Sequence, residues 1–182
     1  MPAERPRSVA DHTDTVFDPR EILRVLGSHE IEFVVVGGVA VQTHGYLRST
    51  QDLDVIPRPN LVNLSRLGEA LAELGARMWR GRRAVDVTDP QLLKRASLVP
   101  LMTDHGRIDL LNLELTAGAP GSYEELREAA VEVALDGYTV AIAGLDDLIR
   151  MKRAVGREQD LADIGALTRS DEELEREAAE ST

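Results

Sequence analysis

The stretch FVVVGGVAVQTHGYLRSTQDLDVIP, residues 33–57, decides the fold of this 182-residue chain. Its first four residues, one phenylalanine and three valines, form a continuous apolar run that is typical of a strand buried on both faces. The glycine pair Gly37-Gly38 ends that strand, and a short helix is expected from about Val39 to His44. Acidic and apolar residues then alternate from Asp52 to Ile56, which is the period of a second strand. The stretch therefore predicts a strand, a helix and a strand in close succession.

Helices and strands continue to alternate in the rest of the chain. The dipeptide Asp18-Pro19 is typical of a helix start. The other expected elements are a helix from Leu61 to Leu74, hairpins of Leu98–Met102 with Arg107–Leu113 and of Val131–Leu135 with Tyr138–Ile142, and helix from Leu145 onward. This order predicts an α+β (α/β-like) fold, in which a small mixed β-sheet is flanked by helices and followed by a C-terminal helical segment.

Composition divides the chain into three expected segments. Residues 1–16 are polar and charged and are expected to form a disordered tail. Residues 17–143 carry the interleaved strands and helices and are expected to form the core. Residues 144–182 are expected to form a C-terminal helical extension, whose last part is strongly acidic.

Composition also excludes several kinds of protein. The chain has no cysteine, so it holds neither disulfides nor zinc-thiolate sites, and a cytoplasmic location is the simplest interpretation. No signal-peptide pattern and no apolar run long enough to span a bilayer is present, so no membrane association is expected. The formal net charge of −11 argues against sequence-indifferent binding of nucleic acid, which requires a basic surface.

Asp52 and Asp54 form the strongest pattern for chemistry. Two carboxylates at positions i and i+2 of a strand point to the same face, where each raises the pKa of the other. A divalent cation relieves their repulsion, and Mg²⁺ (or Mn²⁺) binds a few carboxylates together with substrate phosphate oxygens. The alternative is an edge strand with a solvated acidic face.

Two neighbouring patterns suit phosphate binding. Gly37 and Gly38 let the backbone approach a phosphate at the start of a helix, where free N–H groups and the helix dipole favour an anion. Arg48, Ser49 and Thr50 offer a guanidinium and two hydroxyls just before the aspartates, which suits the oxygens of a triphosphate. The alternatives are a plain tight turn and a polar loop.

A third acid follows on a later strand. Asp109 is flanked by apolar residues in Arg107–Leu111. If that strand lies beside the Asp52 strand, Asp109 completes a cluster of three carboxylates that suits two metal ions. The alternative is a surface-facing acid on a half-exposed strand.

These residues together resemble the signature of the nucleotidyltransferase superfamily related to DNA polymerase beta. That signature begins with a hydrophobic residue followed by Gly-Gly or Gly-Ser. After a spacer comes a strand in which acidic and hydrophobic residues alternate, and a third acid lies on a later strand. This chain matches it with Val36-Gly37-Gly38 and with Asp52-Leu53-Asp54-Val55. The longer string from Gly37 to Asp54 is similar to the AbiEii branch. That branch includes toxins of bacterial toxin–antitoxin systems and relatives of antibiotic nucleotidyltransferases.

The resemblance implies a metal-dependent enzyme that moves a nucleoside monophosphate from a nucleoside triphosphate (NTP) to an acceptor hydroxyl. Asp52, Asp54 and Asp109 would hold Mg²⁺ (or Mn²⁺) and be catalytic. A C-terminal motif of the branch is similar to the segment around Lys152 and Asp160. By that resemblance Lys152 contacts the nucleotide phosphates, and Asp160 accepts the proton of the acceptor hydroxyl. The alternative is that both are ordinary charges on a helix surface.

Three interpretations of the acceptor stay open. A toxin-like enzyme would modify RNA, such as a tRNA end, with Arg77, Arg80, Arg82 and Arg83 gripping phosphates and Trp79 stacking on a base. The alternative for that cluster is a solvated hairpin. An enzyme acting on a small molecule such as an aminoglycoside would suit the overall acidity. A catalytically weak fold would instead be a binding module that acts through a protein partner, such as a cognate antitoxin.

Overall fold

The computed structural model describes residues 15–79 and 86–180, and only the backbone of residues 170–180. The helices are α1 (Pro19–Ser28), α2 (Gly37–Thr43), α3 (Leu61–Glu73), α4 (Pro90–Arg95), α5 (Tyr123–Glu128), α6 (Leu145–Val155) and α7 (Glu158–Glu180). The strands are β1 (Phe33–Val36), β2 (Asp52–Pro57), β3 (Arg77–Met78), β4 (Leu98–Thr103), β5 (Gly106–Leu111), β6 (Val131–Leu135) and β7 (Tyr138–Ile142). They form one mixed sheet in the order β3-β4-β5-β2-β1-β7-β6, which confirms the predicted class. None of the described helices has the length and apolar character that crossing a membrane requires.

The two faces of the sheet carry different apolar clusters. Helices α1 and α3 pack on one face, where the buried side chains include Ile22, Leu26, Leu53, Val55, Leu64, Leu67, Leu71, Leu101 and Ile108. Helices α5 and α6 pack on the other face beside β1, where the buried side chains include Val34, Val36, Ile56, Leu126 and Met151. Side chains alternate along a strand. Since Leu53 and Val55 enter the larger cluster, Asp52 and Asp54 point to the opposite face.

The register of three neighbouring strands places polar side chains next to one another. Strands β2 and β5 run parallel, with Asp54 level with Asp109 and Asp52 level with Arg107. Strand β4 runs antiparallel to β5 and places Met102 level with Arg107. Residues at the same level of neighbouring strands share a face of the sheet. All five side chains therefore lie on the face opposite the larger cluster.

Helix α2 begins earlier than expected. It starts at Gly37 rather than near Val39, so the glycine pair forms the first turn of the helix instead of preceding it. His44 caps its C-terminal end. The predicted disorder of the tail falls mostly on residues 1–14, which lie outside the described residues, as do residues 80–85.

The C-terminal segment is helical, as predicted, and consists of the two helices α6 and α7. Gly156 adopts a left-handed backbone conformation, with φ of 69°, and this ends α6. Leu148 and Met151 of α6 are buried against the two apolar clusters of the core. The proposed boundary between a core of residues 17–143 and an extension of residues 144–182 stays a prediction.

We expect Leu53→Ala to lower the free energy of unfolding by about 2–5 kcal/mol, because this side chain is fully buried and its truncation leaves a cavity. Chemical denaturation measures the change. Leu47→Ala, at a loop position that is 85% exposed, is the matched control and should change the value by less than about 0.5 kcal/mol. Equal losses in the two variants would contradict the described burial.

Candidate active site

Three carboxylates predicted from the sequence come together where β2 and β5 meet. Asp54 and Asp109 occupy the same level of adjacent strands, which lie roughly 4.8 Å apart in a sheet. Asp52 lies two residues before Asp54 and on the same face. Asp109 is buried, whereas the other two are partly exposed. Asp109 is therefore not the surface-facing acid of the alternative interpretation.

Burial and mutual repulsion act on the pKa values of these carboxyl groups. Burial raises the pKa of Asp54 to about 6, and the charges of Asp52 and Asp109 add to the rise. Burial also raises the pKa of Asp109, although the hydrogen bond and charge of Arg107 oppose that rise. The protein thus holds Asp54 and Asp109 where a negative charge is costly, which is a common feature of functional sites.

Arg107 is a member of this cluster that the sequence analysis missed. Its Nε donates to Asp109 Oδ1 at 2.9 Å and its Nη2 to Asp109 Oδ2 at 2.5 Å. Its Nη1 lies 3.4 Å from Asp52 Oδ2. The signal was present in the sequence, because Arg107 precedes Asp109 by two residues on one strand and therefore shares its face. One guanidinium thus partly neutralises three acids.

The first turn of α2 lies directly against the carboxylates. Gly37 has φ of +63°, and a Cβ atom added there would overlap the Asp54 carboxylate. A Cβ atom added to Gly38 would overlap the Thr50 hydroxyl, which also lies 3.2 Å from Asp52 Oδ1. The backbone of the glycine pair can come this close to the acids only because neither residue has a side chain.

A second group of charges lies where α7 packs against α6, and its Lys152, Asp160 and Asp163 are buried. Arg48 donates to both oxygens of Asp163, from Nε at 2.8 Å and from Nη2 at 3.1 Å. Lys152 Nζ lies 2.7 Å from Asp163 Oδ2 and 3.3 Å from Asp160 Oδ1. Arg157 Nε donates to Asp160 Oδ2 at 2.9 Å. Lys152 and Asp160 are buried, so they are not ordinary charges on a helix surface.

The two acids of this buried network are held in their charged form. Burial alone would raise the pKa of Asp160, but the hydrogen bond from Arg157 and the charge of Lys152 outweigh it and lower the value. Burial would also raise the pKa of Asp163, but hydrogen bonds from Lys152 and Arg48 outweigh that effect. Both groups therefore act as anions that orient the neighbouring cations.

A cleft of about 100 Å³ connects the two groups of charges. Its polar lining comes from Gly37, Asp54, Thr116, Lys152, Arg157 and Asp160, and its apolar lining includes Val36, Leu111, Leu148, Met151 and Val155. One wall is therefore acidic and close to the glycine pair, while the facing wall carries the cations of α6 and of the segment before α7.

Comparison with known proteins identifies the fold. No family model and no curated protein matches the chain. The structure is similar to that of the lincosamide antibiotic adenylyltransferase LnuA with lincomycin bound, with a TM-score of 0.57 and 15% identity over 85% of this chain and 98% of LnuA. It is also similar to an antigenic nucleotidyltransferase-like protein from Paracoccidioides brasiliensis, with a TM-score of 0.52 and 13% identity over 84% and 77% of the chains. This chain has the nucleotidyltransferase fold.

The nucleotidyltransferase fold distributes the predicted site residues between the two groups of charges. Asp52, Asp54 and Asp109 lie together beside Gly37 and Gly38, as expected. Among the other predicted residues, Arg48, Lys152 and Asp160 belong to the buried network, Thr50 lies against Asp52, and Ser49 is exposed. The roles assigned to all of these residues stay predictions.

The three carboxylates of this nucleotidyltransferase fold suit a divalent cation in charge and donor type. Among the described side chains, those of residues 15–79 and 86–169, however, no three acidic or histidine groups converge on a common point as metal ligands. Asp52 and Asp109 face the guanidinium of Arg107 instead. Coordination by all three carboxylates therefore requires Arg107 to shift.

We expect Asp54→Asn to stabilise the metal-free protein at pH 7.5 by on the order of 2 to 3 kcal/mol, because it removes a charge that burial and two neighbours oppose. A pKa raised in the folded state gives stability that is present below the unfolded value of 3.8 and lost as pH rises through about 6. The gain in unfolding free energy should therefore vanish near pH 4.

Denaturation of the two proteins from pH 4 to pH 8 in EDTA measures this difference. Asp146→Asn, at an exposed position of α6, is the control and should show no such gain. If Asp54→Asn is less stable than the wild type at pH 7.5, the carboxylate of Asp54 does not destabilise the metal-free protein and the explanation is wrong.

Proposed function

We propose that this protein is a metal-dependent nucleotidyltransferase that moves a nucleoside monophosphate from an NTP to a hydroxyl group of an acceptor. The observation that carries the proposal is that Asp54 lies opposite Asp109 on the adjacent parallel strand and directly beside Gly37. This places a cluster of acids suited to Mg²⁺ or Mn²⁺ against the start of a helix suited to phosphate. The fold shared with LnuA supports the proposal.

In the proposed reaction the acceptor oxygen forms a bond to the α-phosphorus of the triphosphate. The bond from that phosphorus to the oxygen bridging to the β-phosphorus breaks, and pyrophosphate leaves. The proton of the acceptor hydroxyl passes to a carboxylate. A divalent cation held by Asp52, Asp54 and Asp109 would lower the pKa of that hydroxyl and neutralise charge on the pyrophosphate. Positioning and charge neutralisation supply most of the catalysis in such transfers.

The residues around the cleft would bind the triphosphate. The N–H groups of Gly37 and Gly38 lie in the first turn of α2, where the helix dipole favours phosphate. Lys152 lines the same cleft from the facing helix and would contact phosphate oxygens. Arg48 would neutralise part of the charge of the outer phosphates, and Ser49 and Thr50 would donate hydrogen bonds to them. Asp163 fixes the orientation of the Arg48 guanidinium.

Two carboxylates are candidates for the proton acceptor. Asp160 is the one assigned from the sequence, but its lowered pKa makes it a weak base. Asp109 has a raised pKa, but it is also proposed to hold the metal ion, so its substitution would abolish transfer whichever group takes the proton. Asp160→Asn is therefore the informative variant. A transfer rate that no longer falls at acidic pH identifies Asp160 as the base, and an unchanged pH dependence assigns the role to Asp109.

The acceptor that the observations favour is a small molecule. The fold is shared with LnuA, an adenylyltransferase of a lincosamide antibiotic, over 98% of LnuA, and this supports an acceptor of that size. The basic cluster proposed for RNA gains no support, because Arg77 pairs with Asp104 at 3.3 Å and the other three arginines lie outside the described residues. The AbiEii branch, a toxin role and a cognate antitoxin depend on the motif resemblance alone.

A transfer assay tests the proposed activity. An NTP labelled at the α-phosphate is incubated with Mg²⁺ and with lincomycin, an aminoglycoside or tRNA. We expect Asp52→Asn to lower transfer by at least about 100-fold, because it removes a metal-binding carboxylate. EDTA should abolish transfer, and Asp146→Asn should leave it unchanged.

The same assay separates an enzyme from a binding module. If the wild type and Asp52→Asn behave alike with every acceptor, and neither binds NTP in a Mg²⁺-dependent way, the protein is a binding module that acts through a partner. Mg²⁺-dependent NTP binding by the wild type alone supports the enzyme.

A further inference from the structure

A second cavity, of about 380 Å³, borders the carboxylate cluster on the side of β4. It is lined by Thr15, Phe17, Gln51, Trp79, Met102, Gly106 and Arg107. This volume falls in the range of sites for small molecules. It shares none of its lining residues with the cleft between Gly37 and Lys152.

The sheet itself builds the wall of this cavity. Met102 lies level with Arg107 on the neighbouring strand. The backbone N–H of Trp79 donates to Pro100 O at 2.9 Å, which holds the indole beside β4. The ring centroid of Trp79 lies 5.7 Å from the guanidinium carbon of Arg107, within the range of a cation–π contact. Phe17 closes another side, where it lies against Gly106.

One side chain separates this cavity from the proposed reaction centre. Arg107 lines the cavity and also binds Asp109 and Asp52. Gln51, at the rim, directly precedes Asp52 in the chain. The guanidinium of Arg107 thus lies between the cavity and the carboxylates, and the shift of Arg107 that metal binding requires would open the cavity toward them.

The lining defines the chemistry of the occupant. Trp79, Phe17 and Met102 offer apolar and aromatic surface to the face of a ring. Gln51 and Thr15 offer hydrogen bonds to hydroxyl groups. Among the described lining residues the one charged side chain is Arg107, and it is a cation. The lining offers a polycation no carboxylate to pair with, and its one charged group is already paired with Asp109 and Asp52. The apolar and aromatic surface of the cavity therefore suits an uncharged ring better than a chain of ammonium groups.

We propose that this cavity is the acceptor site and that it takes a compact, uncharged, ring-bearing alcohol, such as a glycoside or a nucleoside, rather than a polycation. The proposal rests on the proposed function and names its acceptor class. Trp79 and Gln51 are then residues that determine acceptor specificity, and they take no part in NTP binding.

The fluorescence of Trp79 tests the proposal, because it is the single tryptophan of the chain and its emission reports on this cavity. The full chain, with Mg²⁺ and a non-hydrolysable ATP analogue, is titrated with adenosine, methyl α-D-glucopyranoside, spermidine, kanamycin and a short RNA. We expect a saturable change of emission with at least one of the two neutral ring compounds and none with spermidine or kanamycin. Gln51→Ala should weaken that binding by roughly 3- to 10-fold. Gln91→Ala, exposed on α4, is the matched control and should not change it.

Three results overturn the proposal: no response to either neutral compound up to millimolar concentration, tighter binding of a polycation or of RNA, or equal affinities in the two glutamine variants. Calorimetry of the ATP analogue in the same samples keeps the two hypotheses apart. If the analogue binds and the emission of Trp79 does not change with any neutral compound, only the proposed acceptor site is wrong. If the analogue does not bind with Mg²⁺, the proposed function is wrong and this inference falls with it.

Discussion

The constraint on which the site depends is the pairing of two carboxylates at the same level of adjacent parallel strands. Two like charges about 5 Å apart repel by about 3 kcal/mol at the effective dielectric constant of partly buried sites. Burial, together with the charges of Asp52 and Asp109, raises the pKa of Asp54 to about 6. Arg107 offsets part of the repulsion by binding Asp109 and Asp52. The acidic cluster thus lowers the stability of the folded protein, which is common at functional sites.

A second constraint positions the opposite wall of the cleft. Asp160, Asp163 and Lys152 are buried together, and the partly buried Arg48 and the exposed Arg157 pair with the two acids. Removing one of the three buried members would leave a buried charge without its partner, so the network fixes the positions of α6, α7 and the loop after α2 relative to one another. It contains one more cation than anions, and two of its cations line the cleft. The charges of the proposed triphosphate and of its cations would be opposite in sign to the basic wall and to the acidic wall, respectively.

Local patterns in the sequence predicted the parts of the site that lie close together in the chain. The alternation from Asp52 to Val55 fixed which side chains share a face, and the glycine pair indicated a close approach of backbone. What local patterns could not provide was pairing between distant segments. No local pattern in the sequence shows that β2 pairs in parallel with β5. Both interpretations of Asp109, as the third carboxylate of the cluster or as a surface-facing acid, therefore stayed open, and Arg107 was missed. Likewise, the contact of Arg48 with Asp163 joins residues 115 positions apart.

The most direct measurement of the central claim is anomalous diffraction from crystals grown with Mn²⁺ and a non-hydrolysable ATP analogue. The account predicts an anomalous peak roughly 2.2 Å from carboxylate oxygens of Asp52 and Asp54, with Arg107 moved away from Asp109. A structure with the analogue bound, no peak among the three aspartates and Arg107 still paired with Asp109 would contradict it.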